Sequence, residues 1–373
     1  MLNSCKSVLV VGNYPADQQQ SMIRFADLLV RIYQQQGQVQ LIRPPVFATR
    51  IPGLPPMARQ YIAYIDKMLL FPIWLTFLAK NVDLVHIADH GNAYYSFFCN
   101  PKKCIVTCHD LLMMRAVRGD TTVGCNPSAI GFLLQRMILA GLRHSGSVAF
   151  VSQATRNDFL FLGGGPPSQL HAVIPLPVNA PFTSDAAAFD LSEAEQEHVP
   201  TGPFLLMVGS AVPRKNRALA LQLLEWLGTA SPYRIVFAGA PLDPCEQVFR
   251  DTHPLGERLL SIPRPSHALL NRLYCRAHAL LFPSLAEGFG WPLLEAQACD
   301  CPVIASTTTS IPEVAGNAAL FADPHDVATF AAHVRALEDS HERARLIQLG
   351  RLNLNRFTPN GVRDAYWRFA FCP

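Results

Sequence analysis

From Ser7 onward, short apolar runs alternate with longer amphipathic stretches, and this rhythm breaks once and then restarts. Ser7–Val11, Val39–Ile42, Leu84–Ile87, Cys104–Thr107 and Val148–Val151 read as strands; Gln20–Gln36 and Ile130–His144 read as helices, with Gly37 placed to stop the first. Residues 176–200 carry many Pro, Ala and acidic side chains without long periodicity, and the linker is placed there, over residues 179–200. Beyond it, strands Phe204–Val208, Arg234–Ala238, Ala279–Phe282 and Val303–Ala305 alternate with helices Arg217–Trp226, His267–Arg276, Pro292–Ala298 and Val327–Leu337. Such alternation builds parallel, doubly wound sheets, and 373 residues exceed one ordinary core. The expectation is an α/β chain of two Rossmann-like domains, residues 1–178 and 201–357.

Half of the residues are apolar and 16% are charged, the composition of a folded chain rather than a disordered one. The longest apolar run, Met68–Ala79, has 12 residues and contains Pro72. A bilayer span needs roughly 20, so none is expected. The first 15 residues lack a cleavage site and read as leading into a buried strand. Ten scattered cysteines, two of them inside an apolar strand (Cys104, Cys108), fit reduced thiols and a cytoplasmic location. Cys99, Cys104, Cys108 and His109 do not read as a zinc site, because alternate strand residues face opposite ways. Residues 1–178 carry 15 Lys and Arg against 8 Asp, a net of +7, and the remainder carries −4. A basic half suits peripheral contact with an anionic membrane face or a phosphate-bearing acceptor, as well as plain solvation. Met68–Ala79 and Ile130–His144 are nevertheless expected to face the core, because helices flanking a parallel sheet need apolar stripes.

The most informative stretch is Ala286–Pro302, AEGFGWPLLEAQACDCP, in which seven residues separate Glu287 from Glu295. Pro292 suits the first helical position, which puts Glu287 on the preceding loop and Glu295 within about the first turn. Gly288 and Gly290 permit close backbone approach, and free N–H groups at a helix start attract anions. Amides for phosphate and carboxylates for hydroxyls suit a sugar diphosphate. Upstream, Gly209 and the Arg214-Lys215-Asn216 triplet follow a strand; Arg and Lys there neutralise phosphate, and Asn216 is placed to cap the next helix. In the first half, three segments follow strand ends, where ligands sit in such sheets: Gly12-Asn13-Tyr14, Ala88-Asp89-His90 and Cys108-His109-Asp110.

The Ala286–Pro302 stretch resembles the signature of retaining nucleotide-sugar glycosyltransferases of the GT-B fold, glycosyltransferase family 4, whose E-x7-E motif reads EGFGxPxLEA before a small-residue helix and a G-x-PVI strand. Here Asp300-Cys301 replaces the usual Gly-Thr or Gly-Val pair, behind the helix. The resemblance is specific over residues 200–325 and looser over 1–175. It implies two domains facing across a cleft, with a last helix, Asn360–Phe371 within residues 358–373, crossing back onto the first. It implies Glu287 facing the donor sugar, with Gly288 and the Phe289 and Gly290 backbone nearby, and Glu295 accepting hydrogen bonds from the ribose. Gly209, Arg214 and Lys215 would bind the diphosphate. His109 would sit near the reacting sugar, with Asp110 positioning the next loop. Ser152, in V-S-x-x-T, would cap a helix or face the cleft. Many family members have a Gly-Gly turn in the first loop; this chain offers only Gly12, so Gly12, Gln20 and Ser21 are expected on the acceptor side.

No D-x-D sequence occurs, so the expected catalysis is metal-independent and without a cofactor. The resemblance implies a hexose moving from a UDP- or GDP-sugar to a carbohydrate or lipid-linked acceptor hydroxyl, with retention, in polysaccharide or lipid-linked glycan assembly. No nucleic-acid partner is expected. The rivals are an epimerase or phosphorylase on the same architecture, and a non-catalytic GT-B subunit.

Overall fold

Runs that are apolar on consecutive residues bury both faces, and here they become the strands of two six-stranded, wholly parallel sheets. The computed structural model describes residues 6–17, 19–47, 55, 62–124, 128–178, 181–185 and 187–372. The chain divides into two compact units, each with one sheet.

The first unit comprises Met1–Leu111, Pro127–Pro175 and Asn360–Pro373. Its strands are β1 (Lys6–Val11), β2 (Gly37–Ile42), β3 (Leu84–Ile87), β4 (Cys104–Cys108), β5 (Ser147–Phe150) and β6 (Leu170–Val173), in the order β2-β1-β3-β4-β5-β6. Helix α1 (Gln20–Gln34) connects β1 to β2. Gly37 belongs to β2 rather than to a helical stop: a Cβ there would lie 2.5 Å from the Lys6 carbonyl oxygen, so glycine is required by the close approach of β1.

Helix α2 (Ile62–Asn81) corrects the expectation that no stretch is long enough to cross a bilayer; its 20 residues suffice by length and composition. Lys67 bounds the apolar run in the sequence, but the helix continues through it. Nor does α2 face only the core. Phe71, Leu75 and Ala79 are buried, while Ile65, Leu69, Ile73 and Phe77 are exposed. Helix α3 (Leu112–Val117) belongs to the second unit, and α4 (Ala129–His144) and α5 (Gln153–Phe161) to the first. On α4, too, only one part is inward: Ile138, Leu139 and Leu142 are buried, whereas Ile130, Leu133 and Met137 are exposed.

The second unit comprises Leu112–Asn126 and Leu176–Pro359, so the stretch read as a linker clusters with it and holds α6 (Glu193–Glu197), closed by a Ser192–Glu195 capping box. Leu112–Asn126 joins it because Leu112, Ala116 and Val123 pack against Ala286. The sheet contains β7 (Phe204–Gly209), β8 (Arg234–Gly239), β9 (Leu259–Pro263), β10 (Ala279–Phe282), β11 (Val303–Ser306) and β12 (Ala319–Ala322), ordered β12-β11-β10-β7-β8-β9. This is the 3-2-1-4-5-6 order of doubly wound nucleotide-binding sheets, whose direction reverses between β7 and β10. Its helices are α7 (Arg217–Leu227), α8 (Pro244–Thr252), α9 (His267–Arg276), α10 (Trp291–Ala298), α11 (Ile311–Ala315), α12 (Val327–Ala336) and α13 (Ser340–Leu354). Leu223, Leu224, Phe237, Leu281, Ile304 and Phe330 lie in its core.

The last helix, α14 (Pro359–Phe371), returns to the first unit from Asn360 onward. Its Tyr366 is fully buried, and a polar chain ties it in: the Tyr366 and Thr107 hydroxyls are 3.2 Å apart, Thr107 Oγ1 is 2.8 Å from His86 Nε2, and His86 Nδ1 is 2.9 Å from the Tyr33 hydroxyl. Burial pushes His86 down to about 3, so its ring is neutral.

Candidate functional site

The ligand crevice of a doubly wound sheet lies beyond the strand ends where the order reverses, here β7 and β10. The segments leaving those two ends are Gly209–Lys215 and Pro283–Gly290, the same two that carry the sequence motifs. Glu287 is 8% exposed and Glu295 is 6% exposed, so neither carboxylate points into solvent. Glu287 Oε2 accepts from Arg214 Nη1 at 2.7 Å, and Lys215 Nζ lies 2.7 Å from Oε1. The buried carboxylate is thus paired with two cations, one on each oxygen. Burial alone would raise the Glu287 pKa, but Lys215 and Arg214 outweigh it and hold the carboxyl below its ordinary range.

The backbone around Glu287 is fixed from several sides. Its N–H donates to Thr309 Oγ1 at 2.9 Å, and the Ser310 hydroxyl donates to the Glu287 and Phe289 carbonyls, both at 3.0 Å. Thr309 sits at φ +50°, an uncommon conformation for a β-branched residue. Gly209 opens space for its neighbour: a Cβ there would meet Lys215 Cε at 3.3 Å, and φ +129° requires glycine in any case. Lys215 Nζ also lies 4.8 Å above the Phe282 ring. Asn216 does not cap α7 with its side chain. At φ +55° its amide donates to the Pro283 and Pro324 carbonyls, pinning the β7 loop to the β10 loop.

Helix α10 starts one residue earlier than expected, with Gly290 as N-cap at φ +105° and Pro292 second. Glu295 is consequently the fifth residue, at the start of the second turn. Gly288, like Phe289, is buried on the loop before it. Trp291 Nε1 donates to the Pro177 carbonyl at 3.0 Å. The Tyr274 hydroxyl, on α9, donates to Glu295 Oε2 at 2.9 Å. Burial, followed by the Glu295 charge, raises the Tyr274 pKa well above normal, so the phenol keeps its proton. Tyr274, Thr309 and Ser310 were not legible as site residues, since their roles exist only through the fold.

The remaining candidates belong to the first unit. His109, at the end of β4, is buried, its Nε2 lies 2.9 Å from the Ala88 carbonyl, and its ring meets Phe25 edge-on at 4.6 Å. A carbonyl can only accept, so Nε2 carries the proton. Burial lowers the His109 pKa, Asp89 opposes this and His90 adds to it; the neutral ring presents Nδ1 as an acceptor. Asp89 is itself buried, accepts from Asn13 and lies 3.2 Å from His90 Nδ1. His90 Nε2 lies 3.9 Å from Asp110. Burial opposes protonation of His90, but the two aspartates win and raise its pKa. The only signal for Asp89, His90 and Asn13 was their position after strand ends. Gly12 is buried at the end of β1, its N–H donating to the Ile42 carbonyl at 2.9 Å. Ser21 is exposed on the first turn of α1, and the Gln20 side chain lies outside the described residues. Ser152 is buried and caps α5, accepting from the Thr155 N–H at 3.1 Å. Among the described residues, no group of three or more His, Cys, Asp or Glu converges on a metal position.

Residues 189–352 match the family described as glycosyl transferases group 1. O-antigen chain mannosyltransferase B of Escherichia coli is 38% identical over 148 residues, which are 38% of this chain and 38% of that protein's length. Sucrose-phosphate synthase from Thermosynechococcus elongatus superposes with a TM-score of 0.72 at 17% identity, covering 98% of this chain and 99% of that one. The HepE protein of Anabaena, solved in complex with UDP and glucose, gives 0.68 at 15% identity, covering 97% and 98%. Whole-length superposition on such structures makes this a two-domain GT-B fold, within which residues 189–352 are similar to the group 1 glycosyl transferases.

Proposed function

We propose that the chain is a glycosyltransferase that moves a hexose from a UDP- or GDP-sugar to an acceptor hydroxyl in polysaccharide or lipid-linked glycan assembly, with retention and without a divalent metal. The observation that carries this reading is the buried Glu287 carboxylate, held at 2.7 Å by both Arg214 and Lys215 where the sheet order reverses. A diphosphate is a stronger partner for those two cations than one carboxylate. As it enters, it draws Arg214 and Lys215 toward its oxygens and leaves Glu287 to accept hydrogen bonds from donor hydroxyls. Glu295, supported by Tyr274, offers a second acceptor. In the transfer, the bond between the anomeric carbon and the diphosphate oxygen breaks while the acceptor oxygen bonds to the same face. The departing diphosphate takes the acceptor proton, and Arg214 and Lys215 balance its charge. His109 enters this reading through the resemblance, as a neutral ring whose Nδ1 accepts from a sugar hydroxyl. The mannosyltransferase relative supports a polysaccharide context, and the HepE complex supports a nucleoside diphosphate leaving group.

The test is release of nucleoside diphosphate from UDP- and GDP-sugars with and without candidate acceptors. Release that requires an acceptor, and falls about 100-fold in Glu287→Gln, is the expected result. Conversion of the nucleotide sugar to its epimer, or phosphate-dependent cleavage of a glycoside, without acceptor-dependent diphosphate release favours the epimerase or phosphorylase reading, and unchanged turnover in Glu287→Ala removes the site from the chemistry. Thermal shift identifies the base, since a ligand at about 100 times its Kd adds about 2.7 kcal/mol.

A further inference from the structure

Helix α2 is apolar on two opposite sides, and only one of them is used. Inward, Phe71 packs on Tyr95 at 4.9 Å, Leu75 is fully buried, and the buried Asp66 accepts from the Tyr14 hydroxyl at 2.9 Å. Outward, Ile65, Leu69, Ile73 and Phe77 form a four-residue-spaced stripe that is 47, 57, 54 and 64% exposed, with Leu70 and Trp74 beside it. The stripe continues across a groove of about 520 Å³, lined by Thr76, Lys80, Lys103 and the half-exposed Phe97 and Phe98. Phe97 and Phe98 end the 3-10 stretch His90–Phe98, whose other side is packed by α4; a Cβ on Gly141 of α4 would lie 2.3 Å from the Ala93 oxygen. The first turns of α4 expose Ile130, Leu133 and Met137 as well. An uncovered apolar surface of this extent is an interaction site.

The charges around it select the partner. Residues 62–81, 90–103 and 129–144 contain Lys67, Lys80, Lys102, Lys103, Arg136 and Arg143, and a single acid, the buried Asp66. Lys80 lies 5.4 Å from the Phe77 ring and Arg136 5.8 Å from that of Phe132, so cations border the apolar stripes. Exposed aliphatic side chains, Trp74, Tyr64 and phenylalanines with a basic rim are the make-up of a helix lying in a lipid interface. We infer that the outward face of α2, with Phe97 and Phe98, seats the first unit on an anionic phospholipid surface as a peripheral attachment. A full span is excluded by the inward face, because withdrawing α2 would strip Phe71, Leu75 and Asp66 of their partners. The attachment stands on the first unit and does not depend on the transfer reaction.

The experiment is co-sedimentation of the purified chain with phosphatidylcholine vesicles and with vesicles that also contain phosphatidylglycerol. Binding to the anionic vesicles that weakens with added salt is expected. The exposed-site variant Ile73→Ser/Phe77→Ser should bind about tenfold more weakly or worse, and Lys80→Gln/Lys103→Gln about fivefold more weakly per lysine. Both variants should keep the wild-type melting temperature and acceptor-dependent diphosphate release on a soluble acceptor. Equal binding to both vesicle types, no binding to either, or binding unaffected by Ile73→Ser/Phe77→Ser overturns the inference. So does concentration-dependent dimerisation without lipid that the same variant abolishes, which would make the face a contact between copies.

Discussion

At the residue scale, the carboxylates and cations of the second unit were legible, whereas the groups that aim them were not. Glu287 and Glu295 announce themselves by their spacing around a Gly-Phe-Gly turn, and Arg214-Lys215 by their place after a strand. Tyr274 carries no such mark: it reads as one more aromatic on an amphipathic helix, and its contact with Glu295 spans 21 residues of sequence. Tyr274→Phe keeps the ring and removes the only proton it gives, leaving Glu295 short of a donor in a buried site. The expected result is a roughly tenfold weaker donor, about 1–2 kcal/mol, with the acceptor KM unchanged; steady-state kinetics in both substrates decide it. A variant whose acceptor KM moves while the donor KM does not would contradict this role.

At the element scale, legibility followed burial. Leu84–Ile87, His267–Arg276 and Ala279–Phe282 stand where the apolar pattern placed them, because both faces of the strands and one face of the helix are committed to the core. β12, ALFA, has too little pattern to read, and β6 is mostly half-buried. Helix α2 defeats periodicity in a different way, since a segment apolar all round does not tell which side looks inward. The packing of α4 offers a sharper test. Gly141 permits its contact with the 3-10 stretch, and a methyl group would overlap the Ala93 carbonyl and the Tyr94 nitrogen, which are backbone atoms. Despite its better helix propensity, Gly141→Ala should lose about 1–3 kcal/mol in urea unfolding. A gain in stability would show that the two elements can separate freely.

At the scale of the whole molecule, the buried polar chain that holds α14 sets how the first unit responds to acid. The His86 pKa is depressed in the folded state, to about 3, by burial first and by the nearby His109 second. An unfolded histidine titrates near 6.5, so below that pH the unfolded state takes up a proton that the folded state refuses. Stability is therefore full above about pH 6.5 and declines as pH falls toward about 3, at up to about 1.4 kcal/mol per unit from this group. Urea midpoints measured between pH 7 and 4.5 should drop, and the drop should be smaller in His86→Gln, which cannot titrate. Equal slopes in the two proteins would remove His86 as the cause.

The same chain of hydroxyls and imidazole has a bearing on biogenesis. Tyr366 fills a place in the first unit but is translated only after Pro359, the last residue of the second. A ribosome therefore delivers every residue of the second unit before it delivers the piece that completes the first. Until then Tyr33, His86 and Thr107 wait without their final partner, and the nascent first unit is the one exposed to chaperones and proteases.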